Sequence, residues 1–248
     1  KIQKHADALT TFIKSTATPM TIGIQGEWGS GKTSLLNSIH YDLENSQKYQ
    51  QIWINAWEHS LLSTPEESLL KIINEIISSM LQGDTNEKNK DKIKGTVTKL
   101  FKGGLRIGAT VAAGSEGKQL AEELWGDDTN SIKILRQKLV EISTTIKKGA
   151  TNPFEKIIIY VDDLDRIDPP DAVRILELLK NIFSIPNCVF ILAIDYQVVV
   201  KGLESKFGKR TEENEWEFRA FFDKIIQLPF MMPMGQYDVG NYVSDLLK

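Results

Sequence analysis

One stretch constrains this chain more than any other: Gly26-Glu27-Trp28-Gly29-Ser30-Gly31-Lys32-Thr33, which fits G-x-x-x-x-G-K-[ST]. Thr21-Ile22-Gly23-Ile24-Gln25 before it reads as a short strand. After it, Leu35, Leu36, Ile39 and Leu43 recur at helical spacing. Strand, glycine-rich loop and helix in that order build a site for an anion. Glycines let backbone N–H groups curl around phosphate oxygens. The helix that follows points its positive end at the same anion. In this pattern Lys32 reaches the β- and γ-phosphates and the Thr33 hydroxyl ligates Mg²⁺. The nucleotide-binding set is therefore Gly26, Glu27, Trp28, Gly29, Ser30, Gly31, Lys32, Thr33 and Ser34, with Lys32 also serving catalysis.

The remaining elements alternate between strands and helices. An amphipathic helix opens the chain through Ile2, Ala6, Leu9 and Ile13. Gln51 to Trp57 is a second strand candidate, and Thr64 with Glu67 makes a capping box, Pro65 standing at the first helical position. Residues 83–130 combine a lysine-rich stretch with a glycine- and alanine-rich run, and read as a partly mobile insertion. Ile132 to Ile146 returns to helical spacing. Ile157-Ile158-Ile159-Tyr160-Val161 is continuously apolar and β-branched, the signature of a strand buried on both faces. A helix from Asp168-Pro169 to Phe183 follows, then a strand over Val189 to Ile194. Helices around Val198 to Phe207 and Glu212 to Phe222 precede a last strand candidate, Lys224 to Leu228. The alternation predicts an α/β fold: a doubly wound parallel sheet of about five strands joined by right-handed crossovers, carrying the insertion.

Composition bounds what such a fold would serve. The chain has 248 residues, 41% hydrophobic and 25% charged, as expected of one large globular domain. Its net charge of -3 supplies no general attraction to nucleic acid. The single cysteine, Cys188, lies in an apolar run and reads as a small buried hydrophobe. No Cys/His cluster has metal-ligand spacing, so no zinc site is expected. No signal peptide and no apolar run of roughly 20 residues is present, which predicts a cytoplasmic domain without a transmembrane segment. Both ends lie inside helical patterns, so residues 1–248 are expected to be one module of a longer protein.

Asp162 and Asp163 end the most apolar strand. A carboxylate there is the second metal-holding group that a phosphate-binding loop needs. Asp162 is assigned to the magnesium shell with Thr33, and Asp163 to polarising the attacking water; the reverse assignment is the alternative. Asp165 is expected to be structural, pairing with an arginine or capping. Asp195 follows the next strand and suits either a γ-phosphate sensor or a helix cap. Arg219 is the leading candidate for an arginine that stabilises transferring charge, with Arg210 and Arg166 as further candidates. At all three positions an ordinary surface arginine is the favoured reading. The five tryptophans offer base stacking as one reading, but Trp53 and Trp57, on a strand candidate, suit core packing better. No Asn-Lys-x-Asp follows the acidic strand, so adenine is favoured over guanine.

Several segments together resemble one family. Gly23 to Leu35, with its Glu27-Trp28 pair, is similar to the P-loop of KAP NTPases. Asn55-Ala56-Trp57-Glu58, Val161-Asp162-Asp163-Leu164-Asp165-Arg166 and Asp223-Lys224-Ile225-Ile226-Gln227-Leu228-Pro229-Phe230 resemble that family's later motifs, in the same order. The resemblance implies a P-loop NTPase core that uses ATP and an additional acid beside the magnesium aspartate. It also implies kinship with bacterial phage-exclusion proteins and animal membrane-associated signalling scaffolds. Many members carry transmembrane helices between the P-loop and the acidic strand. Here that place holds residues 83–130, whose small-residue run is short and contains Arg106.

The expected function is an ATP-hydrolysing conformational and assembly switch within a larger antiphage-defence protein, working as a homo-oligomer with other domains of the same chain. The alternatives are a nucleotide-stabilised scaffold with negligible turnover, or a motor stimulated by nucleic acid.

Overall fold

The computed structural model describes residues 2–44, 46, 48–82, 136–137, 139–140, 143–144, 154–180 and 182–233. Five parallel strands form one sheet: β1 (Met20–Gln25), β2 (Tyr49–Asn55), β3 (Lys156–Asp162), β4 (Cys188–Ile194) and β5 (Leu228–Met231). Their order is β2-β3-β4-β1-β5. β3 and β4 are buried almost throughout, as their apolar runs predict.

Alternation within each strand divides the core in two. Ile158, Tyr160, Val189, Ile191, Ile22 and Ile24 face helices α1 (Ile2–Ser15) and α2 (Lys32–Glu44). Ile157, Ile159, Val161, Phe190, Leu192 and Ile194 face the other side. That side is covered by α4 (Pro65–Gln82), α5 (Pro169–Leu179), α6 (Tyr196–Phe207) and α7 (Glu215–Asp223), with the short α3 (Ala56–Ser60) ahead of them in the chain. Helices on both faces leave the carboxyl ends of the strands as the place where polar groups can gather.

The helix signals hold at α4. Thr64 N–H donates to Glu67 Oε2 at 3.0 Å and Glu67 N–H to Thr64 Oγ1 at 3.3 Å, the reciprocal capping box. Two strand boundaries differ from the sequence reading. β2 stops at Asn55 rather than Trp57, because Asn55 Oδ1 accepts from Glu58 N–H and starts a helical turn. Trp57 therefore lies on α3, partly buried against the α4 side of the core, while Trp53 stacks on Tyr160 at 5.1 Å. Trp28 and Trp216, by contrast, are exposed.

The last strand also begins later, at Leu228. Lys224, Ile225 and Ile226 instead extend the end of α7, their N–H groups donating to Ala220 and Phe222 carbonyls. This turn buries both isoleucines, and Gly23 makes room for it: a Cβ there would sit 2.5 Å from Ile226 Cδ1. Pro229 is tolerated because, among the described residues, β5 pairs with β1 alone, at the edge of the sheet.

One tie has no sequence signature. Lys156 Nζ donates to the carbonyls of Ile13, Lys14 and Thr16 at 2.7, 2.9 and 2.6 Å, closing the carboxyl end of α1. Burial pushes the Lys156 ammonium below its ordinary pKa. Cys188 is buried, as expected of a small hydrophobe, and burial pushes its thiol up to about 12. No helix among the described residues is long and apolar enough to cross a membrane. The insertion at 83–130, most of the expected helix at 132–146, Trp125 and the closing pattern at 238–248 lie outside the described residues, although Leu139 is buried in the α4 side of the core.

Helices α5 and α6 touch at Gly202, where a Cβ would lie 2.2 Å from the Pro169 carbonyl oxygen. A backbone atom cannot step aside as a side-chain tip can. Gly202→Ala is expected to cost about 1–3 kcal/mol, as overpacked cores do, read as a lower midpoint in urea unfolding. An unchanged midpoint would show that the two helices separate at no cost.

Candidate functional site

β1 delivers the chain into the loop at Gly26, whose N–H donates to the Ile194 carbonyl of β4 at 3.1 Å. The loop turns on glycines where turning requires them: Gly29 and Gly31 have φ of 79° and 89°, a region that side chains disfavour. Ser30 N–H closes the turn on the Glu27 carbonyl at 3.1 Å. Gly26 is tightly enclosed, since a Cβ would meet Ser30 Oγ at 2.4 Å. Lys32 is the first residue of α2, so the loop opens onto a helix amino terminus. Glu27, Trp28, Thr33 and Ser34 are exposed around it, Trp28 by 80%.

The Lys32 ammonium folds back over the loop. It donates to the Gly26 and Glu27 carbonyls at 3.0 and 3.1 Å and pairs with Asp165 Oδ2 at 2.8 Å. Both side chains of that pair are nearly enclosed, 6% and 7% exposed. Asp165 was expected to meet an arginine or cap a helix. It meets the loop lysine instead, because the 3-10 turn Leu164–Arg166 after β3 carries it back over the loop.

Asp162 ends β3 with 4% of its surface exposed. Its carboxylate accepts from the Thr33 hydroxyl and, at 2.9 Å, from the Asp163 N–H. Burial raises its pKa, and those two donors only partly offset the cost of enclosing charge. Thr33 and Asp162, the expected magnesium pair, are thus brought together from opposite sides of β4.

Asp163 takes a left-handed backbone, φ 61° and ψ 25°. Its carboxylate is held twice: Asn55 Nδ2 donates to Oδ2 at 3.1 Å, and Arg166 Nε pairs with Oδ1 at 2.7 Å. Asn55 stands opposite Asp162 in the β2–β3 register, which is how it reaches the acid beyond the strand end. Sequence reasoning assigned Asn55 no role in the site, although it opens one of the family-like segments. Arg166 proves to be bound within its own chain, its guanidinium also lying 5.8 Å from the Trp57 ring centre.

The other candidates separate. Asp195 takes the cap reading, its Oδ1 accepting from Gln197 N–H at 2.9 Å at the start of α6. Arg210 and Arg219 both engage Glu215: Arg210 through two guanidinium nitrogens, Arg219 through Nε at 3.3 Å. Arg219 is 72% exposed and lines a cleft of about 140 Å³ with Gln25, Tyr196, Phe222 and Asp223.

The donor set fits a phosphate chain with a divalent cation. It offers an enclosed ammonium, a glycine cradle at a helix amino terminus, and a hydroxyl paired with a carboxylate as hard oxygen ligands.

A buried carboxylate with a raised pKa binds protons more readily in the folded chain than in the unfolded one. It therefore withdraws stability as pH rises through the carboxylate range toward neutrality. Asp162→Asn removes that penalty while keeping an acceptor for Thr33. The nucleotide-free variant is expected to melt a few degrees higher than the parent at neutral pH, with no such gain at acid pH. Equal melting at every pH would show that the enclosed charge costs nothing.

Two comparisons complete the site. The phage T7 exclusion protein of Escherichia coli (strain K12) is 24% identical over 253 residues, an alignment that takes in 89% of this chain and 31% of that protein. The chain thus spans about a third of that relative. The KAP family P-loop domain matches residues 2–244, from the first helix through the glycine loop and the acidic strand to beyond β5. By this match over nearly its whole length, the chain belongs to the KAP family of P-loop NTPases.

Proposed function

We propose that this domain binds ATP with Mg²⁺ in the loop Gly26–Ser34 and hydrolyses it slowly. The observation that carries the reading is the Thr33 hydroxyl on the Asp162 carboxylate beside an enclosed Lys32. The loop N–H groups and Lys32 would hold the phosphates, and Thr33 and Asp162 would hold the cation. Bound Mg²⁺ would neutralise charge on the phosphate oxygens. Asp163 would orient the attacking water and take its proton, once released from Asn55 and Arg166.

Arg219 and Arg210, both paired with Glu215 at the surface, would be the candidates to serve a neighbouring copy's phosphates. In this reading the domain is an ATP-driven assembly switch that works in the cytoplasm as a homo-oligomer within a longer protein. The name of the E. coli relative supports an antiphage role.

The test is phosphate release from Mg-ATP over a range of protein concentrations, with Asp163→Asn alongside. Turnover is expected to fall by about a hundredfold or more in the variant, the usual worth of a positioned base. Specific activity rising with concentration, and lost in Arg219→Ala, is the expected mark of a shared site. Activity flat with concentration would mean a self-contained ATPase. ATP bound without release in the parent protein would favour the scaffold instead.

A further inference from the structure

We propose that Asp165 is the placeholder for phosphate on Lys32. Without nucleotide its carboxylate neutralises the loop lysine, and binding exchanges that carboxylate for a phosphate oxygen. This rests on reading Gly26–Ser34 as the nucleotide loop.

A lysine ammonium has three N–H groups and no acceptor. Those of Lys32 are all committed, to the Gly26 carbonyl, the Glu27 carbonyl and Asp165. Two of the three partners are the loop's own backbone, and these bonds hold the curl of the loop. The third is an anionic oxygen, the kind of acceptor a phosphate offers. A phosphate that reaches Lys32 without undoing the loop must take the place of Asp165.

The neighbouring acids cannot fill this role. Asp162 is engaged by Thr33 and by the Asp163 N–H. Asp163 is engaged by Asn55 and Arg166. Asp165 alone of the three pairs with the lysine, and the enclosure of both side chains leaves little water to replace either partner. The exchange also reaches beyond the pair. Asp165 and Arg166 share one 3-10 turn, and Arg166 holds Asp163. Phosphate arriving at Lys32 thus loosens the turn that restrains the water-activating acid.

The test compares Asp165→Asn with the parent, both freed of nucleotide, by calorimetric titration with Mg-ATP. Removing the competing anion is expected to tighten binding about tenfold or more, within the range usual for coupled binding events. A merely structural aspartate would, on removal, leave affinity unchanged or weaken it, and either result overturns the exchange while leaving the nucleotide reading intact. Failure of the parent to bind Mg-ATP overturns both.

A second arm needs no ligand. Asp165→Asn is expected to lower the melting temperature of the nucleotide-free chain, but to leave it unchanged or raise it in a Lys32→Met background, where the buried carboxylate has lost its partner. Equal losses in both backgrounds would show that the pair carries no coupling and sink the proposal. If the asparagine variant does not fold, Asp165→Ser is measured under the same expectations.

Discussion

Burial of β3 and β4 on both faces is the constraint on which this molecule depends. Two strands whose buried residues are mostly Ile, Val, Leu, Phe, Tyr, Cys and Ala cannot lie against water on either side. Helices must therefore cover both faces, and polar chemistry is pushed to the strand ends. Gly26, Asn55, Asp162 and Asp195 each stand at or just past the carboxyl end of a strand. The order β2-β3-β4-β1-β5 then seats β4 between the loop strand and the acid strand. That spacing lets Thr33 and Lys32, from the start of α2, reach across to Asp162 and Asp165.

The site is organised by scarcity of solvent. Asp162 is enclosed enough that its charge is penalised, and Lys32 and Asp165 are enclosed enough to need one another. Asp163 is more accessible but doubly tethered. Three aspartates within four residues thus live in three different environments, and position along the turn decides which carboxylate meets hydroxyl, arginine or lysine.

What could be read from the sequence follows from how local each signal is. The loop motif, the capping box of Thr64 and Glu67, and the run Ile157 to Val161 each declare themselves within a dozen residues, and each has its expected structure. The pairs that define the site are not local. Asn55 meets Asp163 across 108 residues, and Lys156 reaches Ile13 across 143. No periodicity encodes such contacts. Asp165 was misread for the same reason: a short-range rule offered arginines and caps, while the fold offered a lysine from another element. The edge of β5 was misplaced because Ile225 and Ile226 are as apolar as any strand. What keeps them in a helical turn is the bare backbone of Gly23, on a different strand.

That bare backbone has a mechanical corollary. Ile226 lies flat on Gly23. Gln227 is pinned to Thr21 by two hydrogen bonds, at 2.9 and 3.0 Å, and Met232 N–H donates to the Gln25 carbonyl at 2.7 Å. The run from α7 into β5 is therefore riveted along the whole length of the loop strand. Any side chain at position 23 would therefore displace Ile226 and, through these bonds, the junction of α7 with β5.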